Sequence, residues 1–286
     1  MVNYYLYRAG QFIALSLPLN VAYGVAALVC DLHYLFARKD RAAVGDNLKA
    51  IFPQKSAKEI NELKRAMYRN FAKYLVDFFR FSKLDKEYIE KNIKFENKEY
   101  LDTALAKGKG VIILSAHLGN WELGGALFGL LGYPVWVVAL VHKYKRVNDF
   151  FNFQRKSKGV GVIPLGKAVR QCLNILKENK ILGLVGDRDF SKNGGIALDF
   201  FGRQALFPEG PAVFSLKTGA VIVPGFMLRN KDDTFTFKTE KPVEFSPTGD
   251  KEKDLVELIK RYKVIFEDYI RRYPDQWYIF RRFWIT

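Results

Sequence analysis

The sequence predicts an α/β fold in which a mostly parallel sheet is flanked by helices, preceded by an N-terminal hydrophobic helical membrane anchor. From Glu99 onward, helix-type and strand-type patterns alternate along the chain, which is typical of parallel sheets with crossover helices. The strand-type segments are short apolar runs, as expected for strands buried on both faces. The anchor is predicted by an uncharged run from Ala9 to Cys30.

The uncharged run is as long as the roughly 20 apolar residues that cross a bilayer as a helix. Pro18 lies in its middle and breaks or kinks a helix there. Two membrane arrangements are therefore open, a kinked span and a helical hairpin that lies in one leaflet. A buried pair of core helices and a cleaved signal peptide are further alternatives.

Basic residues follow the uncharged run and suit the anionic headgroups of a cytoplasmic leaflet. They are Arg38, Lys39 and Arg41. We therefore expect residues 1–45 to associate with a membrane and residues 46–286 to form a separate domain.

The remaining elements follow from hydrophobic periodicity. Ser56 and Glu59 have capping-box spacing and open a long amphipathic helix that ends near Phe81. Further helices are expected over residues 121–131, 147–156, 167–179, 210–218 and 251–272. Strands are expected over residues 111–115, 135–140, 161–165, 181–186, 220–228 and 234–239.

Composition limits the classes of function. The chain has 286 residues, 49% of them hydrophobic, which is enough for a sizeable core. Its formal charge of +16 favours an anionic partner: nucleic acid, an anionic membrane surface or an acidic protein. Cys30 and Cys172 do not form a disulfide scaffold, and three histidines without a Cys/His cluster predict no metal site.

His117 and Glu122 are the most informative pair of residues. His117 lies where a predicted strand ends and a predicted helix begins, which is a usual place for chemistry in open α/β sheets. Residues five apart on a continuous helix are about 140° apart, so the two side chains pair only if His117 lies in the turn before the helix. Such a pair would make the imidazole a better base. The alternative is a structural or merely exposed histidine.

Other polar clusters also follow predicted strands or precede predicted helices. Asp187, Arg188 and Asp189 come directly after a strand and either bind a polar group, orient a catalytic group, or form a surface turn. Glu209 lies in a proline-bounded turn before a helix whose free N–H groups can bind anions. Residues 273–283 interleave aromatics with arginines, which indicates a membrane-facing or phosphate-binding edge or a packed terminus.

Together these motifs resemble the late acyltransferases of lipid A biosynthesis, the lauroyl/myristoyl transferase family. That family belongs to the wider group of membrane acyltransferases with a His-x4-acid motif. The matched blocks are residues 117–122, 186–190, 200–202, 208–211 and 274–283. The His-x4-acid motif alone is weakly specific, but five blocks in the same order along nearly the whole chain are specific.

The resemblance implies an enzyme at the cytoplasmic face of the inner membrane. It would move a fatty acyl chain from a thioester donor, acyl carrier protein or CoA, to a hydroxyl of an anionic glycolipid such as a lipid A precursor. His117 would act as general base and Glu122 would hold the imidazole. No metal or other cofactor is implied. Without a Gly-x-Ser-x-Gly elbow or a cysteine near the motif, no covalent acyl-enzyme is expected.

Substrate-binding roles are also implied by the resemblance. Backbone N–H groups of residues 119–120 would stabilise the oxyanion, and Arg155 would contact anionic substrate groups. Arg188 and an acid beside it, either Asp187 or Asp189, would shape the site. The implied substrate-binding residues are Asn120, Arg155, Arg188, Asp189 and Glu209, the last of them near the acceptor.

Several alternatives stay open at this point. A related transferase would use a lysophospholipid, a glycosyl lipid such as a mannosyl lipid, or an aminolipid as acceptor. A lipid esterase would use water in place of the hydroxyl, but the missing serine elbow argues against it. A basic non-enzymatic protein that binds membranes or nucleic acid fits the charge. The common nucleic-acid-binding motifs are not found in the sequence, and we expect no nucleic-acid partner.

Overall fold

The computed structural model describes residues 2–166, 168–188 and 195–285. Nine strands occur in these residues: β1 (Ile93–Glu96), β2 (Val111–Ser115), β3 (Val135–Ala139), β4 (Gly161–Pro164), β5 (Ile181–Val185), β6 (Ile196–Phe200), β7 (Arg203–Phe207), β8 (Val221–Arg229) and β9 (Phe235–Thr239). The same residues contain α1 (Val2–Ser16), α2 (Leu19–Phe36), α3 (Arg38–Ile51), α4 (Ala57–Phe79), α5 (Lys86–Asn92), α6 (Lys98–Ala106), α7 (Trp121–Leu130), α8 (Lys145–Lys156), α9 (Ala168–Lys177), α10 (Gly210–Thr218) and α11 (Lys251–Arg272).

Seven strands form one sheet in the order β1-β9-β8-β2-β5-β3-β4. Neighbouring strands are parallel except β8 and β9, which are antiparallel. β6 and β7 form a separate antiparallel hairpin. The predicted mostly parallel sheet flanked by helices is therefore confirmed.

The six predicted strands and six predicted helices are present, with bounds that differ by at most two residues. The long helix α4 begins after Ser56 with the predicted capping box, because Ser56 and Glu59 each bond the other's backbone N–H. The strands β1, β6 and β7 and the helices α3, α5 and α6 were not predicted as separate elements. Apart from the 14-residue α3, each is at most nine residues long, too short for periodicity to stand out.

Strand β2 runs through the centre of the sheet and is buried on both faces. Ile112 and Leu114 pack into the hydrophobic cluster on one face, whereas Val111 and Ile113 pack into the cluster on the other. Side chains of a strand alternate between faces, so a continuous apolar run is what two packed layers require.

The uncharged N-terminal run forms two helices that are separated at Pro18 and both pack against α4. Arg80, the residue that follows α4, donates to the carbonyl oxygens of Ala14 and Leu17 and so caps the end of α1. α2 is long and apolar enough to cross a membrane by length and composition. The boundary expected at residue 45 falls inside α3, and the division into two parts stays a prediction.

Candidate active site

The site lies at the carboxyl ends of the two central parallel strands β2 and β5. Ser115 and Val185 are register partners at the ends of these strands. His117 and Asp187 each lie two residues farther along, so the sheet brings together residues that are far apart in sequence. Carboxyl ends of parallel strands are where open α/β sheets bind ligands.

His117 and Asp187 form a hydrogen-bonded pair. Nδ1 of His117 is 2.6 Å from Oδ1 of Asp187. The other oxygen of Asp187 accepts from the indole N–H of Trp277 at 3.0 Å, and Asp187 is fully buried. Burial raises the pKa of Asp187, but the neighbouring His117, Arg188 and Trp277 lower it to about 2. The carboxylate is therefore ionised at neutral pH and holds the imidazole through Nδ1.

Glu122 does not lie at its predicted position beside the imidazole. Both of its carboxylate oxygens accept from Arg155, at 2.9 Å from Nε and 2.6 Å from Nη2. Burial lowers the pKa of Arg155, but Glu122 raises it by more, so the guanidinium stays charged. The sequence predicted that Glu122 would hold His117, and the structure shows Asp187 at Nδ1 instead. The reason is helix geometry: Glu122 is in the first turn of α7 and faces α8, which carries Arg155.

The loop that carries His117 is clamped by the C-terminal segment. The N–H of Gly119 donates to the carbonyl of Gln276 at 2.9 Å, and the N–H of Tyr278 donates to the carbonyl of His117 at 2.8 Å. Gly119 has φ of +65°, and a Cβ there would lie 2.0 Å from the carbonyl oxygen of Met227, so only glycine fits. This tight contact holds the histidine in one position.

The C-terminal segment is a packed terminus rather than a membrane-facing edge. Trp277, Tyr278 and Ile279 are at most 3% exposed. The alternative that placed residues 273–283 at a membrane is wrong for these central residues. These side chains pack under the loop that carries His117, whereas Arg281 and Arg282, which follow them, are exposed.

A buried ionic cluster beneath the loop centres on Asp77 of α4. Its carboxylate accepts from Asn120 at 2.9 Å and also from Arg229 and Tyr23. Burial lowers the pKa of Arg229, but Asp77 and Tyr23 raise it by more. Arg229 also contacts Asp233 at 3.2 Å. The cluster therefore joins α2, α4, the start of α7 and the end of β8.

A cavity of about 1130 Å³ opens beside the pair of His117 and Asp187. This volume is at or above the upper end of the range of volumes that is typical of ligand pockets. The charged or titratable side chains that line it are His117, Glu122, His142, Arg155, Arg188 and Glu209. The rest of the wall is mainly apolar, from α7, β2, β3, β5, β8 and β9: Ile113, Phe128, Val135, Val137, Met227 and Phe237.

Of the predicted substrate-binding residues, some line the cavity and others do not. Arg188 and Glu209 line the cavity, and Arg155 lines it while bonded to Glu122. Asn120 is 1% exposed, and its side chain accepts from the N–H of Leu123 and donates to Asp77. It is a helix N-cap, so its predicted substrate contact is replaced by a structural role. Asp189 lies outside the described residues.

The predicted oxyanion donors are also committed elsewhere. The N–H of Gly119 donates to Gln276 and the N–H of Asn120 donates to the carbonyl of Met227 at 2.7 Å. Neither amide is therefore available to a substrate oxygen in this structure, and the expectation for residues 119–120 is wrong.

Sequence reasoning left Asp187 and Asp189 as alternatives and missed Trp277 and Asp77. A usable signal existed for Asp187, because its distance beyond a strand end equals that of His117. Trp277 and Asp77 gave no local signal, since their partners are 90 and 152 residues away in the chain.

Comparisons with known proteins agree on one family. The model of the family described as bacterial lipid A biosynthesis acyltransferase matches residues 1–286. A phosphatidylinositol mannoside acyltransferase of Mycolicibacterium smegmatis is 27% identical over 222 residues, 76% of this chain and 72% of the relative. The lipid A biosynthesis palmitoleoyltransferase of Escherichia coli is 24% identical over 251 residues, 87% and 80% of the two chains. A lipid A biosynthesis acyltransferase of Haemophilus influenzae is 20% identical over 241 residues, 84% and 74%.

We expect Asp77→Asn to lower the free energy of unfolding by about 3 kcal/mol, because it leaves the buried Arg229 without its main counter-charge. The measurement is urea unfolding followed by fluorescence. The control is Asp31→Asn, which removes an exposed ion pair with Arg69 and should cost under about 1 kcal/mol. Equal effects of the two variants would contradict the assignment.

Proposed function

Because the chain belongs to the bacterial lipid A biosynthesis acyltransferase family, an acyl-transferring family, we propose that it moves a fatty acyl chain from a thioester donor to a hydroxyl of a glycolipid. The observation that carries the proposal is the His117–Asp187 pair in the wall of a large, mostly apolar cavity. A proton acceptor beside space for a hydrocarbon chain is what this reaction requires.

His117 is the proposed general base. The ionised Asp187 accepts from Nδ1–H and so directs the lone pair of Nε2 to the reacting hydroxyl. As the imidazole takes the hydroxyl proton, the oxygen attacks the thioester carbonyl carbon. The imidazolium then returns the proton to the departing sulfur, which leaves as a thiol. Asp187 stabilises the positive ring during the interval.

Glu122 and Arg155 support the wall of the site in this proposal. Their two-pronged ion pair joins α7 to α8 across the cavity, and each side chain is about one-tenth exposed. A charged pair with this geometry is directional and holds both helices in register. Glu122 thus influences the reaction through wall geometry, and Arg155 is a cation in the cavity wall that can attract an anionic substrate group.

The acyl chain fits the space between α7 and the sheet. Four glycines face it, namely Gly124 and Gly125 on α7, Gly183 on β5 and Gly225 on β8. A Cβ on Gly125 would lie 3.9 Å from Val137, and one on Gly183 would lie 3.1 Å from the same side chain. The cavity therefore has room for a side chain at Gly125, whereas glycine at position 183 allows Val137 to pack closely against β5. The apolar residues around this part of the cavity make a suitable environment for a hydrocarbon.

The acceptor is proposed to be an anionic glycolipid. The relatives are named for phosphatidylinositol mannoside and for lipid A, and both names denote glycolipids. A lipid A precursor and a mannosyl lipid are the two candidates, the second favoured by the identity of 27% to the mannoside enzyme. The formal charge of +16 suits either acceptor, and it also suits an acidic carrier protein or CoA as the donor.

The chain is proposed to dock on the cytoplasmic face of the inner membrane through α1 and α2. The inner face of α2 is used by the protein itself, since Tyr23 and Tyr34 are buried and Tyr23 bonds Asp77. Its outer face is apolar and open to the surroundings. Exposed apolar side chains on the two helices include Leu6, Phe12, Val21, Leu28, Val29, Leu32, Leu35 and Phe36. A helix pair that is packed on one side and apolar on the other lies in one leaflet.

We expect His117→Ala to lower kcat for acyl transfer by about a hundredfold or more, because the general base is lost. Asp187→Asn should cost a similar factor, since an amide favours the wrong imidazole tautomer. Glu122→Gln should cost less. The measurement is steady-state transfer from a fatty acyl thioester, with product lipids identified by mass spectrometry. The matched control is Asp268→Asn on the exposed face of α11. Near-normal turnover by His117→Ala would falsify the mechanism.

We expect Gly125→Leu to shift the preference between hexadecanoyl and decanoyl thioesters about tenfold toward the shorter chain, because the new side chain fills the gap under α7. The measurement is kcat/KM for both donors. Gly125→Ala is the control, since its Cβ meets Val137 and Val160 at ordinary contact distance. An unchanged preference in Gly125→Leu would mean that the acyl chain lies elsewhere.

We expect the triple variant Leu28→Ser, Leu32→Ser, Leu35→Ser to lose most of its binding to vesicles that contain an anionic phospholipid. The three residues are each more than half exposed and lie on one face of α2. The measurement is co-sedimentation with vesicles, with the melting temperature as a check of folding. Val264→Ser on α11 removes an equally exposed apolar side chain from another surface and should bind normally. Full binding by the triple variant would reject α2 as the docking face.

A further inference from the structure

Two buried hydrogen-bond donors in the wall of the cavity lack a partner. They are the hydroxyl of Ser115 and the Nε–H of Arg188. In the part of the chain that the structure describes, one other buried side-chain polar atom lacks a hydrogen-bond partner, the hydroxyl of Tyr68. Tyr68 is outside the cavity wall, whereas Ser115 and Arg188 both line it. Buried polar groups are nearly always paired, so unpaired donors beside a cavity indicate a ligand atom that accepts from them.

Ser115 is directed to the same space as His117. It is the last residue of β2, and the residue is 8% exposed. Side chains two apart on a strand point to the same face, and Ile113, Ser115 and His117 all line the cavity. Ala116 alone separates the two residues in the chain, so their side chains border the same part of the cavity.

Arg188 is linked to the backbone of His117 through one residue, Tyr278. Its Nη2 donates to the carbonyl of Tyr278, and the N–H of Tyr278 donates to the carbonyl of His117 at 2.8 Å. Burial lowers the pKa of Arg188, and the nearby Asp187 does not fully offset this. A further negative charge in the cavity would therefore interact favourably with the guanidinium.

The two backbone N–H groups that the sequence suggested for this task are already bonded. The N–H groups of Gly119 and Asn120, in the turn after His117, are bonded to the carbonyls of Gln276 and Met227. An acyl-transfer site needs donors for the carbonyl oxygen as it becomes an oxyanion. Ser115 and Arg188 supply donors in the described cavity wall that are both buried and unpaired.

We propose that Ser115 and Arg188 bind the carbonyl oxygen of the thioester and stabilise the oxyanion that forms on it. The inference rests on the proposed acyl transfer and adds two catalytic residues with a defined task. It assigns to Ser115 a role as hydrogen-bond donor, not as nucleophile. It gives Arg188 the reacting carbonyl as its ligand, in place of a distant polar headgroup.

Acyl transfer in this site passes through a tetrahedral oxyanion. The acceptor hydroxyl loses its proton to Nε2 of His117 while its oxygen forms a bond to the carbonyl carbon. The π-electron pair of the carbonyl moves to oxygen, which accepts hydrogen bonds from Ser115 and Arg188. When that pair returns, the carbon–sulfur bond breaks and the sulfur takes the proton from His117. The products are an ester and a thiol.

Steady-state kinetics of the full-length protein test the proposal. Ser115→Ala and Arg188→Gln should each lower kcat for a fatty acyl thioester by about a hundredfold, as removal of an oxyanion donor does elsewhere. KM for the donor should change little. In Ser115→Ala the pH at half-maximal kcat/KM should stay the same, because the His117–Asp187 pair is intact.

Matched variants remove the same groups at other places. Ser215→Ala deletes a hydroxyl of α10 that donates to the carbonyl oxygen of Ala220. Arg272→Gln deletes a guanidinium of α11 that pairs with Asp268 on the same helix. Both should retain wild-type kcat. A loss that is equal in Ser115→Ala and Ser215→Ala would mean that hydroxyl removal acts through folding, and it would overturn the proposal.

Binding of two probes separates transition-state contacts from packing. Dodecylphosphonate carries a tetrahedral anionic head, whereas dodecanol has the same chain without charge. In both variants the affinity for the phosphonate should fall at least tenfold while the affinity for the alcohol is retained. Calorimetry on each variant, with its melting temperature recorded, gives the comparison. Equal losses for both probes would overturn the proposal.

The outcome also distinguishes this inference from the function on which it rests. A wild-type protein that transfers no acyl group from any thioester would refute the proposed function. An active wild type whose Ser115→Ala variant is equally active leaves that function standing and refutes the oxyanion assignment alone.

Discussion

The buried carboxylate of Asp77 is the constraint on which the site depends. It accepts hydrogen bonds from Asn120, which caps α7, from Arg229 at the end of β8, and from Tyr23 of the N-terminal helix α2. An unpaired charge at this depth would be strongly unfavourable, so all three partners are held in place together. Because Asn120 follows the turn that carries His117, the position of His117 is set by the same cluster. The helix α2 and the loop that carries His117 therefore belong to one packed unit.

Two carboxylates near the cavity, those of Asp187 and Glu122, bind different partners. Asp187 is fully buried between an imidazole and an indole, and its neighbours keep its pKa near 2 despite the burial. Glu122 is bonded through both oxygens to Arg155. One acid thus holds the proposed base, and the other holds two helices together around the cavity. The His-x4-acid spacing is explained by this arrangement without direct contact between its two ends, because a strand end and a helix start place them on either side of the same opening.

Much of the fold followed from local patterns. The strands that were predicted are apolar runs such as β2, and the helix α4 was predicted from its capping box and its apolar stripe. The short hairpin of β6 and β7 was missed, since Asp199 and Arg203 interrupt its apolar pattern at exposed positions. Among site residues, His117 was recognisable because it follows a buried strand directly. Arg188 and Glu209 were found for the same kind of reason, as each borders a predicted element.

The sequence by itself determined the order of elements, the loop that carries the histidine and the family resemblance, because each depends on residues that are near one another in the chain. Only the tertiary structure decided that Asp187 and not Glu122 contacts Nδ1 of His117, that Trp277 packs beneath the site, and that the amides of Gly119 and Asn120 are already bonded. These contacts join segments that are 70 to 90 residues apart or more. Strand register and close packing create them, and no local periodicity encodes which strand end faces which.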